Sequence, residues 1–366
     1  MKFLRLAFYV LIAQLVLSGC AGEAVEETSS SSSSEINFEA YVGRNASTRA
    51  GVTDINFLKQ DPNTWYAGFG VFARYKHNGE ISSLMDTERV TWNKNHWEYT
   101  NTRYWPNEGF VDFYAFAPYS SDPKLVNKPG GTEPNPTCIY FPSNVSPVDL
   151  VWANAKDQTK TNEPVKFTFN HALARLGFDI TANQDLEENG AVIKVKEVKL
   201  YGADEISGVF VMAGYLNLEN GAWTLADNGI RWFYTWTPDG KVDGNENVNE
   251  KDGTVLKLSA SQLDHEHDII TNDADSYIFI IPQVKYFPFY LQITYKVKQG
   301  DFEEEVTVRK NLLDVRNPPG DPNPSFSFEM GKAYVFHLKL SLDPINFYVT
   351  TTVVNWNEVI DETMPL

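Results

Sequence analysis

Beyond residue 35, no stretch of about 12 residues carries apolar side chains at the 3.6-residue period of a helix. What recurs instead is strict alternation in short runs. Val192 to Leu200 sets Ile193 and Val195 against Val192, Lys194 and Lys196, and Ile36 to Val42 alternates in the same way. Such runs expose one face and bury the other, which is the pattern of a strand in a half-covered sheet. Further strands are predicted at Gly68–Tyr75, Val90–Trp92, His96–Tyr99, Val111–Pro118, Val165–Phe169, Ile230–Trp236, Ser276–Ile281, Phe289–Val297, Phe302–Val308, Ala333–Leu340 and Ile345–Val354. Asn78-Gly79, Asn220-Gly221 and Asn228-Gly229 are hairpin turns, because both central positions of the favoured two-residue turn need positive φ. Residues 120–137 are rich in Pro, Gly and Asn and read as a long loop. Close-spaced strands without alternating helices predict an all-β chain of antiparallel sandwiches.

The N-terminus is different. Lys2 and Arg5 precede an apolar run from Leu6 to Leu17 that only Gln14 interrupts. That is the layout of a secretory signal, and it is shorter than the roughly 20 apolar residues a membrane-spanning helix needs. The run ends in Leu17-Ser18-Gly19-Cys20. This tetrapeptide resembles the lipobox of bacterial lipoproteins, which implies cleavage after residue 19 and a diacylglycerol thioether on Cys20. Residues 20–35, with Glu23, Glu26, Glu27 and the serine run Ser29 to Ser34, read as a flexible tether. The acidic cluster is similar to that of surface-exported lipoproteins of some Gram-negative anaerobes, and a plain solvated linker has the same composition.

Residues 36–366 suffice for two domains at about 150 residues each, and the expected division is 36–170 and 171–366. The net charge is −17, and it becomes two units more negative when Lys2 and Arg5 leave. A chain so acidic lacks the basic stripe that nucleic acid requires and is repelled by anionic lipid surfaces. With Cys20 lipidated, Cys138 has no disulfide partner and reads as a small buried hydrophobe. No cofactor is expected. His265-Glu266-His267 is the sole clustered histidine set; a zinc pair on one strand face and a solvated polar loop are the two readings. Asp239 to Glu250 echoes a calcium loop but has Lys241 at the third position, so no metal site is assigned. No catalytic centre is recognised: HExxH, GxSxG and phosphate-cradling loops are absent from the sequence. The pair Asp204-Glu205 has no separation that sequence can set. Trp65, Trp92, Trp97, Trp105, Trp223, Trp232 and Trp236 are core residues or, if exposed together, a sugar platform.

The last run, from Ile345 to Val354, is β-branched and close to the C-terminus. A terminal strand can leave its sheet without breaking loops on both sides and add to an edge elsewhere. Ile345, Phe347, Val349 and Val353 are the candidate donor-strand residues; the alternative is an ordinary final strand of its own domain.

An ordered set of segments resembles the fimbrillin family, the subunits and surface lipoproteins of type V pili. The set comprises the lipobox, Ile36-Asn37-Phe38 followed by Thr48-Arg49-Ala50, and Gly68-Phe69-Gly70-Val71-Phe72-Ala73. It continues with Val90-Thr91-Trp92 and Trp97, Tyr104-Trp105-Pro106, Val111 to Pro118, and His171 to Phe178. Gly331-Lys332-Ala333-Tyr334 and Val354-Asn355-Trp356 complete it. The resemblance implies two transthyretin-like antiparallel β-sandwich domains with Greek-key-type connections. It implies export to the outer membrane, an arginine-specific cut at Arg49 (Arg44 being the alternative), departure of the first strand, and its replacement by a strand from the next subunit. The implied partners are other pilus subunits in a homo- or hetero-polymer, a host glycan or protein receptor, and the outer membrane through the lipid. Two other classes stand beside this expectation: a monomeric glycan-binding lipoprotein of a nutrient-uptake system, and a hydrolase with convergent carboxylates.

Overall fold

The structure, a computed structural model, describes residues 34–42, 53–142, 148–183, 188–202, 209–226, 231–238, 253–258, 262–263, 269–270, 278–316, 321–341 and 347–355. Residues 34–366 form one compact unit. It is built almost wholly of strands, as the alternation predicts.

The first part of the chain contains β1 (Phe38–Val42), the short helix α1 (Ile55–Leu58), β2 (Phe69–His77), β3 (Glu80–Asn93), β4 (His96–Glu98) and β5 (Phe110–Ala117). Next come β6 (Leu125–Val126), β7 (Cys138–Pro142), β8 (Val151–Gln158), β9 (Val165–His171) and β10 (Ala174–Ala182). The central part has β11 (Val192–Tyr201), β12 (Phe210–Val211), β13 (Ala213–Asn217), β14 (Trp223–Leu225), β15 (Arg231–Thr237) and β16 (Gly253–Lys257). The rest comprises β17 (Gln262–Leu263), β18 (Ile269–Ile270), β19 (Ile278–Ile280), β20 (Gln283–Lys285), β21 (Tyr290–Gln299) and β22 (Phe302–Asn311). After these come α2 (Leu313–Arg316), β23 (Phe326–Phe328), β24 (Lys332–Leu340) and β25 (Tyr348–Asn355).

One sheet has the order β1-β9-β8-β5-β2-β3-β4. Its inner face buries Val71, Phe113, Ala115, Phe167 and Phe169, with Leu58 of α1 packed among them. A second core lies between the sheet β18-β10-β24-β25, where β19 also pairs β10, and the sheet β12-β15-β11-β21-β22. Phe178 of β10 meets Trp236 of β15 edge to face at 5.0 Å across that interior. The third core is smaller. It is covered by the sheet β14-β13-β7-β6 and joins Phe72, Phe116 and Ile139 to Leu216, Leu218 and Ile281. Strands from both sides of residue 170 therefore share a sheet, since β7 pairs β13 from Cys138↔Asn217 to Pro142↔Ala213.

Asn78-Gly79 is placed as the turn chemistry requires, whereas in the longer loop between β13 and β14 Gly221 has positive φ and Asn220 does not; Asn228-Gly229 lies outside the described residues. Asn78 and Gly79 hold φ of 51° and 82° between β2 and β3, and Lys94 holds 54° between β3 and β4. Three features depart from the sequence reading. β6 forms inside the Pro-rich stretch, where Leu125 and Val126 find Ile139 and Cys138 as partners. β3 is 14 residues long, far beyond Val90–Trp92, because β2 supplies a ladder for it. Among the described residues three pairings are parallel rather than antiparallel: β1 with β9, β10 with β24, and β15 with β16. Parallel partners require long crossovers, which local alternation cannot reveal.

Gly68 opens β2 with φ of 82°, and a Cβ there would meet the Val90 carbonyl oxygen on the neighbouring strand. Gly68→Ala adds left-handed strain to a backbone clash. It is expected to destabilise by about 2–4 kcal/mol, read as a lower denaturant midpoint.

Candidate functional site

The two terminal strands are both at sheet edges: β1 begins the first sheet and β25 ends the sheet β18-β10-β24-β25. An edge strand has one hydrogen-bonded neighbour, so its other row of N–H and C=O groups has no ladder partner.

β1 runs parallel to β9 from Phe38↔Val165 to Val42↔Phe169. Alternation puts Phe38 and Val42 into the core and turns Glu39 and Tyr41 outward, while Ile36 just ahead is fully buried. The Phe38 ring stacks on Phe167 at 5.6 Å and sits edge-on to Phe113 at 5.8 Å and Phe69 at 6.4 Å. Tyr99 packs beside it at 5.5 Å and donates its hydroxyl to the Ile36 carbonyl at 2.8 Å. The backbone is fastened at the same end. Ile36 N–H donates to the Arg103 carbonyl at 2.9 Å, Trp105 N–H to Ser34 at 3.0 Å, and Val165 N–H to Asn37 at 2.7 Å. Each buried large side chain is worth roughly 1.5–3 kcal/mol. β1 is thus one strand wide, edge-located, and plugged into an aromatic groove.

On the far side of residues 43–52 the chain is caught again at Thr53. The fully buried carboxylate of Asp149 accepts the Thr53 N–H at 2.8 Å, and the Thr53 hydroxyl donates to the Asp149 carbonyl at 2.6 Å. His171 Nδ1 lies 2.9 Å from Asp149 Oδ2. A carboxylate only accepts, so that ring nitrogen carries the proton. His171 ends β9 and pairs with Val151, the first residue of β8. The Asp149 cluster therefore fixes the downstream end of the segment that follows β1. Sequence reading missed it, because nothing local marks Asp149 as buried.

β25 runs antiparallel to β24 from Lys339↔Tyr348 to Lys332↔Asn355. Phe347 and Val349 are buried in the second core and Val353 packs against it, while Tyr348 points outward. The strand thus occupies a place in its own sheet, the ordinary alternative raised for it. Ile345, Cys20, Arg44, Arg49, Asp204-Glu205, Asp239 to Glu250 and His265 to His267 lie outside the described residues.

The tryptophans do not form a shared platform among the described residues. Trp97, Trp105, Trp152 and Trp236 are buried and Trp92 and Trp223 half-buried; Trp65, at 78% exposure, stands out. Cys138 is a free, buried thiol, and burial raises its pKa. Among the described residues no three His, Cys, Asp or Glu side chains converge on a point. A polar cleft of about 560 Å³ opens between the ends of β8 and β9, lined by Asp157, Gln158, Thr161, Glu163 and Lys166. Asp157 there is held by Lys76 at 2.6 Å, a hydrogen bond that lowers the carboxyl pKa. What the terminal strands present chemically is backbone pairing capacity beside apolar grooves.

Comparison with known proteins adds a family and a fold. The profile of a family described as fimbrillin-like matches residues 48–356. A fimbrium subunit of Phocaeicola vulgatus is 24% identical, with 96% of each chain covered. The crystal structure of a fimbrial protein from Bacteroides vulgatus superposes with a TM-score of 0.58 at 19% identity, covering 88% of this chain and 99% of that one. That structural likeness establishes a shared fold.

Proposed function

This chain belongs to the fimbrillin-like family, and on that premise we propose that it is a fimbrial, cell-adhesion subunit that assembles with other pilus subunits by strand exchange. It is exported as an outer-membrane lipoprotein through Cys20. Cleavage at Arg49 releases β1, and the vacated groove takes a strand from a second subunit, with β25 as the donor. Residues 36–170 act as the accepting domain and residues 171–366 as the donating domain, both transthyretin-like sandwiches. A host glycan or protein receptor is the further partner that an adhesive subunit requires.

The observation that carries this reading is the seat of β1. Among the described residues it pairs with β9 alone, yet with Ile36 just ahead of it, it plugs Phe38 and Val42 into an aromatic groove. Its loss uncovers both the apolar groove and the free edge of β9, and a strand of matching alternation satisfies both at once. Asp149 retains Thr53 when the chain before it departs, so the opening stops at the groove. A fimbrial role calls for no catalytic centre.

The test is limited proteolysis of the chain produced without its first 20 residues. Trace trypsin is expected to create a new N-terminus at Ala50, and an unheated denaturing gel then shows a ladder of multimers that collapses on boiling. A single monomer band after complete cleavage at Arg49 overturns strand exchange. If that monomer binds an immobilised oligosaccharide, the glycan-binding alternative takes its place.

A further inference from the structure

The sheet that ends in β25 carries a three-residue bridge on the face turned away from the core. His337 of β24 sits between Asp179 of β10 and Thr352 of β25. Its Nδ1 lies 2.6 Å from Asp179 Oδ2, and its Nε2 lies 2.7 Å from the Thr352 hydroxyl. The carboxylate accepts only, so Nδ1 bears a proton and the ring is held in one orientation. Nε2 then accepts from the Thr352 hydroxyl, or donates to it when the ring is doubly protonated. In both states the edge strand is linked by side chains to a strand two places inward. At its end, Lys332 makes a further hydrogen bond to Asn355.

The core face of β25 is arranged in the opposite sense. Phe347, Val349 and Val353 are apolar and pack into the second core. Thr351 interrupts this row, set opposite the fully buried Phe336. Its hydroxyl is buried and has no hydrogen-bond partner among the described residues. A buried hydroxyl left unpaired counts against the seat of the strand that carries it.

We propose that β25 is a poised strand: the Asp179–His337–Thr352 bridge clasps it to its own sheet, while the buried Thr351 hydroxyl keeps that seat weak enough for transfer to a second copy. The structural part stands on these contacts alone; its consequence for assembly rests on the strand-exchange function above. β25 is ordered in its own sheet before assembly, and three features ease its departure. It is an edge, its loss breaks no second ladder, and it returns a buried hydroxyl to water.

Amide hydrogen exchange on the chain produced without its first 20 residues tests this, with Thr352→Val and Thr351→Val as opposed variants. Thr352→Val removes the clasp and is expected to speed exchange of β25 amides about tenfold, the effect of one hydrogen bond of ordinary net worth. Valine is the better strand former, so any propensity effect runs against this acceleration. Thr352→Ser keeps a hydroxyl and is expected to retain the original rates. Thr351→Val replaces the unpaired hydroxyl by a methyl of the same shape and slows β25 exchange about tenfold. Amides of β21, deep in the facing sheet, serve as the unchanged reference. Acceleration absent in Thr352→Val, or slowing absent in Thr351→Val, overturns the poise.

The same variants, cleaved with trypsin, separate the two ideas. If hydrogen exchange shifts as expected but no variant, nor the parent, forms a ladder, the poised strand stands and strand exchange falls. If ladders form at one rate in all variants while hydrogen exchange does not move, strand exchange stands and the poise falls.

Discussion

Replacing Phe38 by alanine lowers the unfolding free energy by about 3–5 kcal/mol, the cost of emptying a large aromatic site that cannot collapse. The ring touches Phe167, Phe113, Phe69 and Tyr99, which come from β9, β5, β2 and the stretch after β4. Those strands are held by their own ladders, so the vacated space persists rather than closing. The loss is also local, because among the described residues β1 has no second strand neighbour to keep it seated. Hydrogen exchange of β1 amides is therefore expected to accelerate more than that of β5 or β2. Urea denaturation with an unchanged slope reads the global term. A midpoint shift worth less than about 1 kcal/mol means that β1 is not the plug of that groove.

Removing the carboxylate of Asp149 has an effect of the same size for a different reason. Asp149→Ala leaves the Thr53 N–H without its acceptor and takes the carboxylate away from His171, all in a buried site. Taking the acceptor from a buried donor costs about 1–3 kcal/mol, and Thr53 N–H and His171 Nδ1–H each lose theirs here. Asp149→Asn keeps an oxygen that accepts one bond and is expected to lose less. The second readout is positional. With Thr53 unfastened, trypsin cleavage after Lys59, the first basic residue beyond it, rises relative to cleavage elsewhere. Wild-type stability in Asp149→Ala rules out the anchoring role.

Much of the secondary structure was legible residue by residue. Val192 to Leu200 alternates and becomes β11; Asn78-Gly79 sits between two runs and becomes a hairpin; Phe302 to Val308 follows Phe289 to Val297 at hairpin distance and pairs with it. Each rests on neighbours within a few residues, where steric rules act directly. β6 escaped because two residues carry no period of their own. Its strand character comes from β7, which supplies the ladder. The site was legible only as candidates. Phe347, Val349 and Val353 share a face by alternation alone, whereas Thr351 on the same face carries a penalty that depends on Phe336 lying opposite.

The amino-acid order by itself determined that this chain is all-β, where the Asn78-Gly79 hairpin turns, which side of each strand is apolar, and that a lipobox-like tetrapeptide precedes an acidic, serine-rich stretch. Those properties are set by backbone sterics and side-chain polarity over a few neighbouring residues. The tertiary structure alone decided that β1 and β25 are edges, that β1 lies parallel to β9, where Phe38 meets Val165, and that Asp149, His171 and Thr53 meet in the interior. Being an edge is a property of which strands fail to pair, and being buried is a property of everything stacked above. Both depend on long-range closure, where the sum of many contacts overrides the preference of any single residue.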